Sequence, residues 1–72
     1  MTATEEHLFS VAVVREVNGS KRYVYRTLDG SSVDPRRRWL VADRAEAERE
    51  ARLLRREMRE AWKVVPVTRR TP

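Results

Sequence analysis

No cysteine occurs in these 72 residues, so neither disulfides nor thiolate zinc sites, the usual supports of very small folds, are open to the chain. Glycine occurs only at Gly19 and Gly30, too few for a phosphate-cradling loop. The one histidine, His7, lies near the N-terminus, and no serine can be set beside it and an orienting acid in an ordered site. Asp29 and Asp34 flank Ser31 and Ser32, yet that segment lacks the alternating oxygens and terminal bidentate Glu of a calcium loop. No apolar run approaches the roughly 20 residues of a membrane span, and no basic–apolar–small leader opens the chain. These absences argue against an enzyme, a metal or cofactor site and a membrane protein. They leave a small, cytoplasmic binding module, whose single domain buries only about 60% of the surface its unfolded chain exposes.

Charge is what the chain has in quantity. Sixteen Lys+Arg against eleven Asp+Glu give a net charge of +5. Arg outnumbers Lys fourteen to two, a skew that a GC-rich genome also produces without selection for binding. Residues 1–42 are net +2, residues 43–61 are neutral, and residues 62–72 add the remaining +3. The excess therefore sits in the first half and at the C-terminal end.

Residues 8–17 (LFSVAVVREV) and 21–28 (KRYVYRTL) are β-branched and aromatic runs separated by Asn18-Gly19. Asn-Gly is the strongest short-range hairpin signal, because both central residues of a type I′ turn need positive φ. That turn pairs Val17 with Ser20, Glu16 with Lys21, Val13 with Val24 and Phe9 with Leu28. Residues 29–37 read as a loop, opened by Asp-Gly and closed by Asp-Pro. The apolar run 39–42 (WLVA) reads as a third strand. Asp43 with Glu46 three residues later is a capping-box-like helix start. Ala47, Ala51, Leu54, Met58, Ala61 and Trp62 continue from it as one apolar stripe. Residues 62–67 form a last strand, with Pro66 at a sheet edge or strand end. Residues 1–7 and 68–72 are expected to be flexible tails, leaving 8–67 as the domain. The fold class is α+β, order ββ(β)αβ, with one helix on a small, mainly antiparallel sheet.

The hairpin register sorts side chains onto two faces. One carries Phe9, Val11, Val13, Val17, Val24 and Leu28, interrupted by Arg15, Arg22 and Arg26. The other carries Leu8, Ser10, Ala12, Val14, Tyr23, Tyr25 and Thr27, with charge only at Glu16 and Lys21. Arg15 and Arg22 fall opposite each other, and like charges so placed need water or an anion nearby. On that ground the uncharged face is preferred as the core. Arg15, Arg22 and Arg26 then stand on an open surface among apolar groups, a mixture suited to an interface. Should the helix cover their face, Tyr23 and Tyr25 are exposed beside Lys21 as a stacking platform. Arg36, Arg37 and Arg38 lead into Trp39, offering phosphate contacts beside an aromatic surface. The helix, with balanced charge, reads as a poor contact for DNA.

The order strand, turn, strand, loop, short strand, then a helix opening with Ala45-Glu46-Ala47-Glu48 resembles the arm-type DNA-binding domain of tyrosine recombinases. In that domain a three-stranded sheet backed by a helix lies in the major groove, which implies groove contacts for Arg15, Arg22 and Arg26. The last strand departs from the pattern. The chain as a whole is similar to small uncharacterised ββ(β)αβ proteins of phages and mobile elements. In these a segment such as 39–48 (WLVADRAEAE) leads into the helix and a strand such as 62–67 (WKVVPV) closes the chain. That resemblance implies a regulatory or accessory binding protein and transfers no site residues. The leading expectation is binding of nucleic acid, or of a nucleic-acid-processing complex, through Arg15, Arg22, Arg26, Arg36, Arg37, Arg38 and Trp39. The alternatives are a protein–protein inhibitor or adaptor using the same face on a host protein, and a structural homodimer.

Overall fold

The computed structural model describes residues 4–71, the last of these for its backbone alone. It is an α+β fold with four strands and one long helix. The strands are β1 (Thr4–Val17), β2 (Ser20–Thr27), β3 (Gly30–Ser32) and β4 (Lys63–Thr71). The helix α1 (Arg44–Met58) precedes β4, and a short 3-10 turn occupies Pro35–Arg37. The sheet is antiparallel throughout, in the order β3-β2-β1-β4.

The hairpin forms in the register set by its turn. Asn18 and Gly19 have φ of 52° and 79°, and Val17 pairs with Ser20, Glu16 with Lys21 and Val13 with Val24. Pairing with β2 stops at Ala12 and Tyr25, so the expected Phe9–Leu28 pair is absent. Phe9 instead exchanges both backbone hydrogen bonds with Val41, at 2.7 and 2.9 Å, and the Trp39 N–H donates to the Arg26 carbonyl at 2.7 Å. The run 39–42 thus closes the split where β1 and β2 diverge, through one isolated bridge, and is not the third strand. The third strand lies inside the segment expected to be a loop. Leu28 and Asp29 turn the chain so that Thr27 pairs with Gly30 and Tyr25 with Ser32, with Gly30 at a φ of 152° that side chains avoid.

β1 is long enough to serve two neighbours, β2 along its C-terminal half and β4 along residues 4–12. The ends expected to be tails are strand over their described residues, Thr4 pairing with Thr71, Glu5 with Arg70, Glu6 with Arg69 and His7 with Thr68. Residues 1–3 and 72 lie outside the described residues. Pro66 fits mid-strand because its partner Phe9 turns its N–H and C=O toward Val41, so this pair needs no ladder bond from the proline.

Asp43 caps α1, its carboxylate accepting from the Ala45 N–H at 2.9 Å, and Arg59 ends it in the left-handed conformation. The helix lies over β1 and β4. Ala47 and Ala51 are fully buried against Val11, Val13, Val24 and Trp62, and Phe9, Trp39, Val41, Leu54 and Val64 pack around them. The alanines let the helix axis come close to the sheet. Met58 and Ala61, expected in the buried stripe, are exposed, because the helix stops at Met58 and the chain turns back through Trp62.

Candidate nucleic-acid interface

The helix covers the face that carries the arginines, which overturns the preference for the uncharged face as core. The reason is that α1 and its flanks bring the groups those arginines require. The Arg15 guanidinium donates to both carboxylate oxygens of Glu60, at 2.7 and 2.5 Å, and lies over the Trp62 ring at 5.5 Å. This pairing holds the Glu60 carboxyl below the usual carboxylate range and raises Arg15. Glu60 is therefore the anion that the Arg15–Arg22 juxtaposition calls for, supplied from 45 residues further along the chain. Arg26 donates to Glu50 at 2.6 Å and to the Thr27 carbonyl at 3.1 Å. Its guanidinium lies 4.4 Å above the Trp39 ring, a geometry that favours a cation over an aromatic face.

The expected site residues are consequently divided among different tasks. Arg26 ties the sheet to the helix through Glu50, Arg15 ties it to Glu60 just beyond the helix, and Trp39 packs half-buried against the core. Arg36 is bound by Asp34, which lowers the Asp34 carboxyl and raises Arg36. Arg37 lies 3.7 Å from Asp29, and Arg38 donates to the Pro35 carbonyl at 2.9 Å. Arg22 is exposed on the hairpin and has no acidic partner among the described residues. The structure does not gather these seven residues into one surface.

A different set is gathered. Arg49, Arg52 and Arg56 recur at three- and four-residue spacing on the side of α1 turned away from Ala47 and Ala51, Arg59 follows at its left-handed C-terminal cap, and all four are exposed. None of them has an ion-pair partner among the described residues, whereas Arg15, Arg26, Arg36, Arg37, Arg44, Arg69 and Arg70 each do. The neutral charge of the helical segment is thus undone by pairing. Glu48 is 3.7 Å from Arg44 on the helix flank, Glu50 goes to Arg26 and Glu60 to Arg15. Glu46 and Glu57 remain beside the ridge and offset part of it. Spacing in the sequence could have placed Arg49, Arg52 and Arg56 on one helix face; the destination of the neighbouring carboxylates could not be read there. From Arg49 to Arg56 the ridge runs about 10 Å along the helix at roughly 1.5 Å per residue. Arg55 points elsewhere, donating to the Trp62 carbonyl at 2.7 Å.

The sheet face away from α1 carries Leu8, Ser10 and Ala12, all buried, and Val14, Tyr23, Tyr25, Val65 and Val67, which are exposed or half-buried. Tyr23 and Tyr25 stack with ring centroids 6.2 Å apart, and the Lys63 ammonium lies 5.3 Å from the Tyr23 ring. Among the described residues no three His, Asp or Glu side chains gather as metal ligands would, and no helix is long and apolar enough to cross a membrane. No protein-family model matches the chain, and neither the curated proteins nor the solved structures yield a match.

Proposed function

We propose that this protein is a non-enzymatic nucleic-acid-binding module whose contact surface is the Arg49, Arg52, Arg56 and Arg59 ridge of α1. The reading rests on one observation, that three exposed guanidinium groups sharing a helix face and a fourth at its C-terminal cap lack acidic partners among the described residues while most other arginines are paired. Unpaired arginines are free to bind a polyanion, and release of the cations condensed on its phosphates supplies most of the affinity for nucleic acid. Over about 10 Å of ridge a duplex presents several phosphates, at one per roughly 3.4 Å of axis on each strand. Arg22, on the same side of the sheet as the helix, extends the basic surface toward the hairpin. Contacts of this kind position a protein without reading sequence, so binding of duplexes should depend little on base composition.

Fluorescence anisotropy with a labelled duplex at rising salt tests the reading. Each of Arg49→Ala, Arg52→Ala and Arg56→Ala should weaken binding and lower the log–log salt slope by about 1. Arg36→Ala, at a paired position, should change the slope much less. Absence of binding at low salt, or a triple alanine variant that binds like the wild type, would refute the proposal.

A further inference from the structure

The side of the sheet opposite α1 presents Val14, Tyr23, Tyr25, Val65 and Val67 around a buried centre of Leu8, Ser10 and Ala12. Val14 and Tyr23 are 47% and 46% exposed, and Tyr25, Val65 and Val67 are half-buried beside them. We infer that this face is covered by the same face of a second copy of the chain, giving a symmetric dimer of two sheets packed face to face with the helices outermost. Three observations select a second copy as the occupant.

The first is charge. The face carries Glu6 and Arg69 as an ion pair at one end, Glu16 across from Lys21 at the other, and Lys63 between. Most of the +5 charge therefore lies elsewhere, above all on the arginine ridge of the helix, where two copies repel each other. With like ends together about a twofold along the strands, Glu6 of each copy faces Arg69 of the other, whereas unlike ends would set Glu6 against Glu16, since both lie on β1. The second is geometry. The sheet's outer edge is ill suited to strand addition, since β4 carries Pro66, which has no N–H to donate, together with Lys63, Arg69 and Arg70. The face turned away from α1, with Val14 and Tyr23 exposed on it, remains for association, and symmetric pairing of one patch on itself is the commonest way for a soluble chain to associate.

The third is size. At about 3.4 Å per residue and about 4.8 Å between strands, the four strands offer on the order of 550 Å² of face per copy. Two such faces bury about 1,100 Å² before side-chain relief is counted, which reaches the roughly 1,000 Å² of a specific interface. A domain with a core of a few valines, two alanines and one tryptophan, and without disulfides, also has the most to gain from association. The inference stands apart from nucleic-acid binding, because it uses the opposite side of the molecule.

Light scattering coupled to size exclusion, run from low to high micromolar concentration, measures the mass directly. The expected value is twice the 8.5 kDa of one chain. Val14→Glu and Tyr23→Glu, both at exposed positions, should each return the mass to that of one chain while far-ultraviolet circular dichroism stays unchanged. Arg52→Ala, on the helix, should leave the dimer intact. A wild-type mass of 8.5 kDa at every concentration overturns the inference. So does a dimer that survives both glutamate substitutions, since it would form through another surface.

Discussion

Val13 and Val14 are neighbours in one strand, yet they belong to surfaces of opposite design. Val13 lies with Val11 and Val24 on a face that also bears Arg15, Arg22 and Arg26, and that face is the one buried by α1. Val14 lies with Tyr23 and Tyr25 on the opposite face, over which the helix does not pass. The contrast shows that the number of charges on a sheet face does not decide which face becomes the core. A guanidinium can border the core where a carboxylate and an aromatic ring arrive with the covering element, as Glu60 and Trp62 do for Arg15 and Glu50 and Trp39 do for Arg26. The charged head is then paired while the aliphatic stem packs on the apolar groups beside it.

The strongest way to break this contrast is at Trp62, which is 2% exposed and roofs the covered face beneath Arg15. Trp62→Ala should cost about 3–5 kcal/mol in urea denaturation, a large share of what so small a domain has. A loss below about 1 kcal/mol would mean that the core lies elsewhere. Next comes the neighbouring pair. Val13→Ala should cost about 2 kcal/mol, and Val14→Ala under about 0.5 kcal/mol when measured at concentrations where the protein is a monomer. Equal losses would erase the distinction between the faces.

Arg26→Lys keeps the charge but removes the planar group that spans Glu50 and Trp39, and should cost about 1 kcal/mol. Arg52→Lys on the ridge should fall within about 0.5 kcal/mol of wild type. The smallest effect concerns Glu60, whose folded pKa is depressed by the hydrogen bonds from Arg15. Its contribution to stability is present above the ordinary carboxylate range and is lost as pH falls through the depressed value, where the folded state also takes up the proton. Glu60→Gln should therefore lower Tm at neutral pH, and the two melting curves should converge under acidic conditions. A Tm difference that persists unchanged into strong acid would show that the pair matters through shape and not through charge.

The parts of the fold visible in the sequence are those set by neighbours along the chain. Asn18-Gly19 dictates the turn and, through it, the register of every pair to Tyr25. Asp43 and the spacing of Ala47, Ala51 and Leu54 mark the helix. Pro66 indicates an edge strand. The short strand at Gly30–Ser32 went unseen because three residues are too few to show alternation, and the polar loop composition outweighs them. The strand ends at Thr4–His7 and Thr68–Thr71 look like tails because each is polar. They form strand through backbone bonds to each other and through the Glu5–Arg70 and Glu6–Arg69 pairs. Of the arginines expected to form a site, Arg15 and Arg26 turn out to serve the core boundary, and the ridge of α1 carries unpaired charge that a count of residues 43–61 conceals.

The excess of positive charge, the amphipathic helix and the hairpin with its two distinct faces were determined by the sequence alone, since composition, periodicity and turn chemistry act over a few residues. Which face was to be covered, and which arginines were left without an acid, was decided only by the tertiary structure. Those outcomes depend on Glu50, Glu60, Trp39 and Trp62 meeting residues far from them in the chain, and a carboxylate neutralises the arginine it reaches in space, whatever stands beside it in sequence.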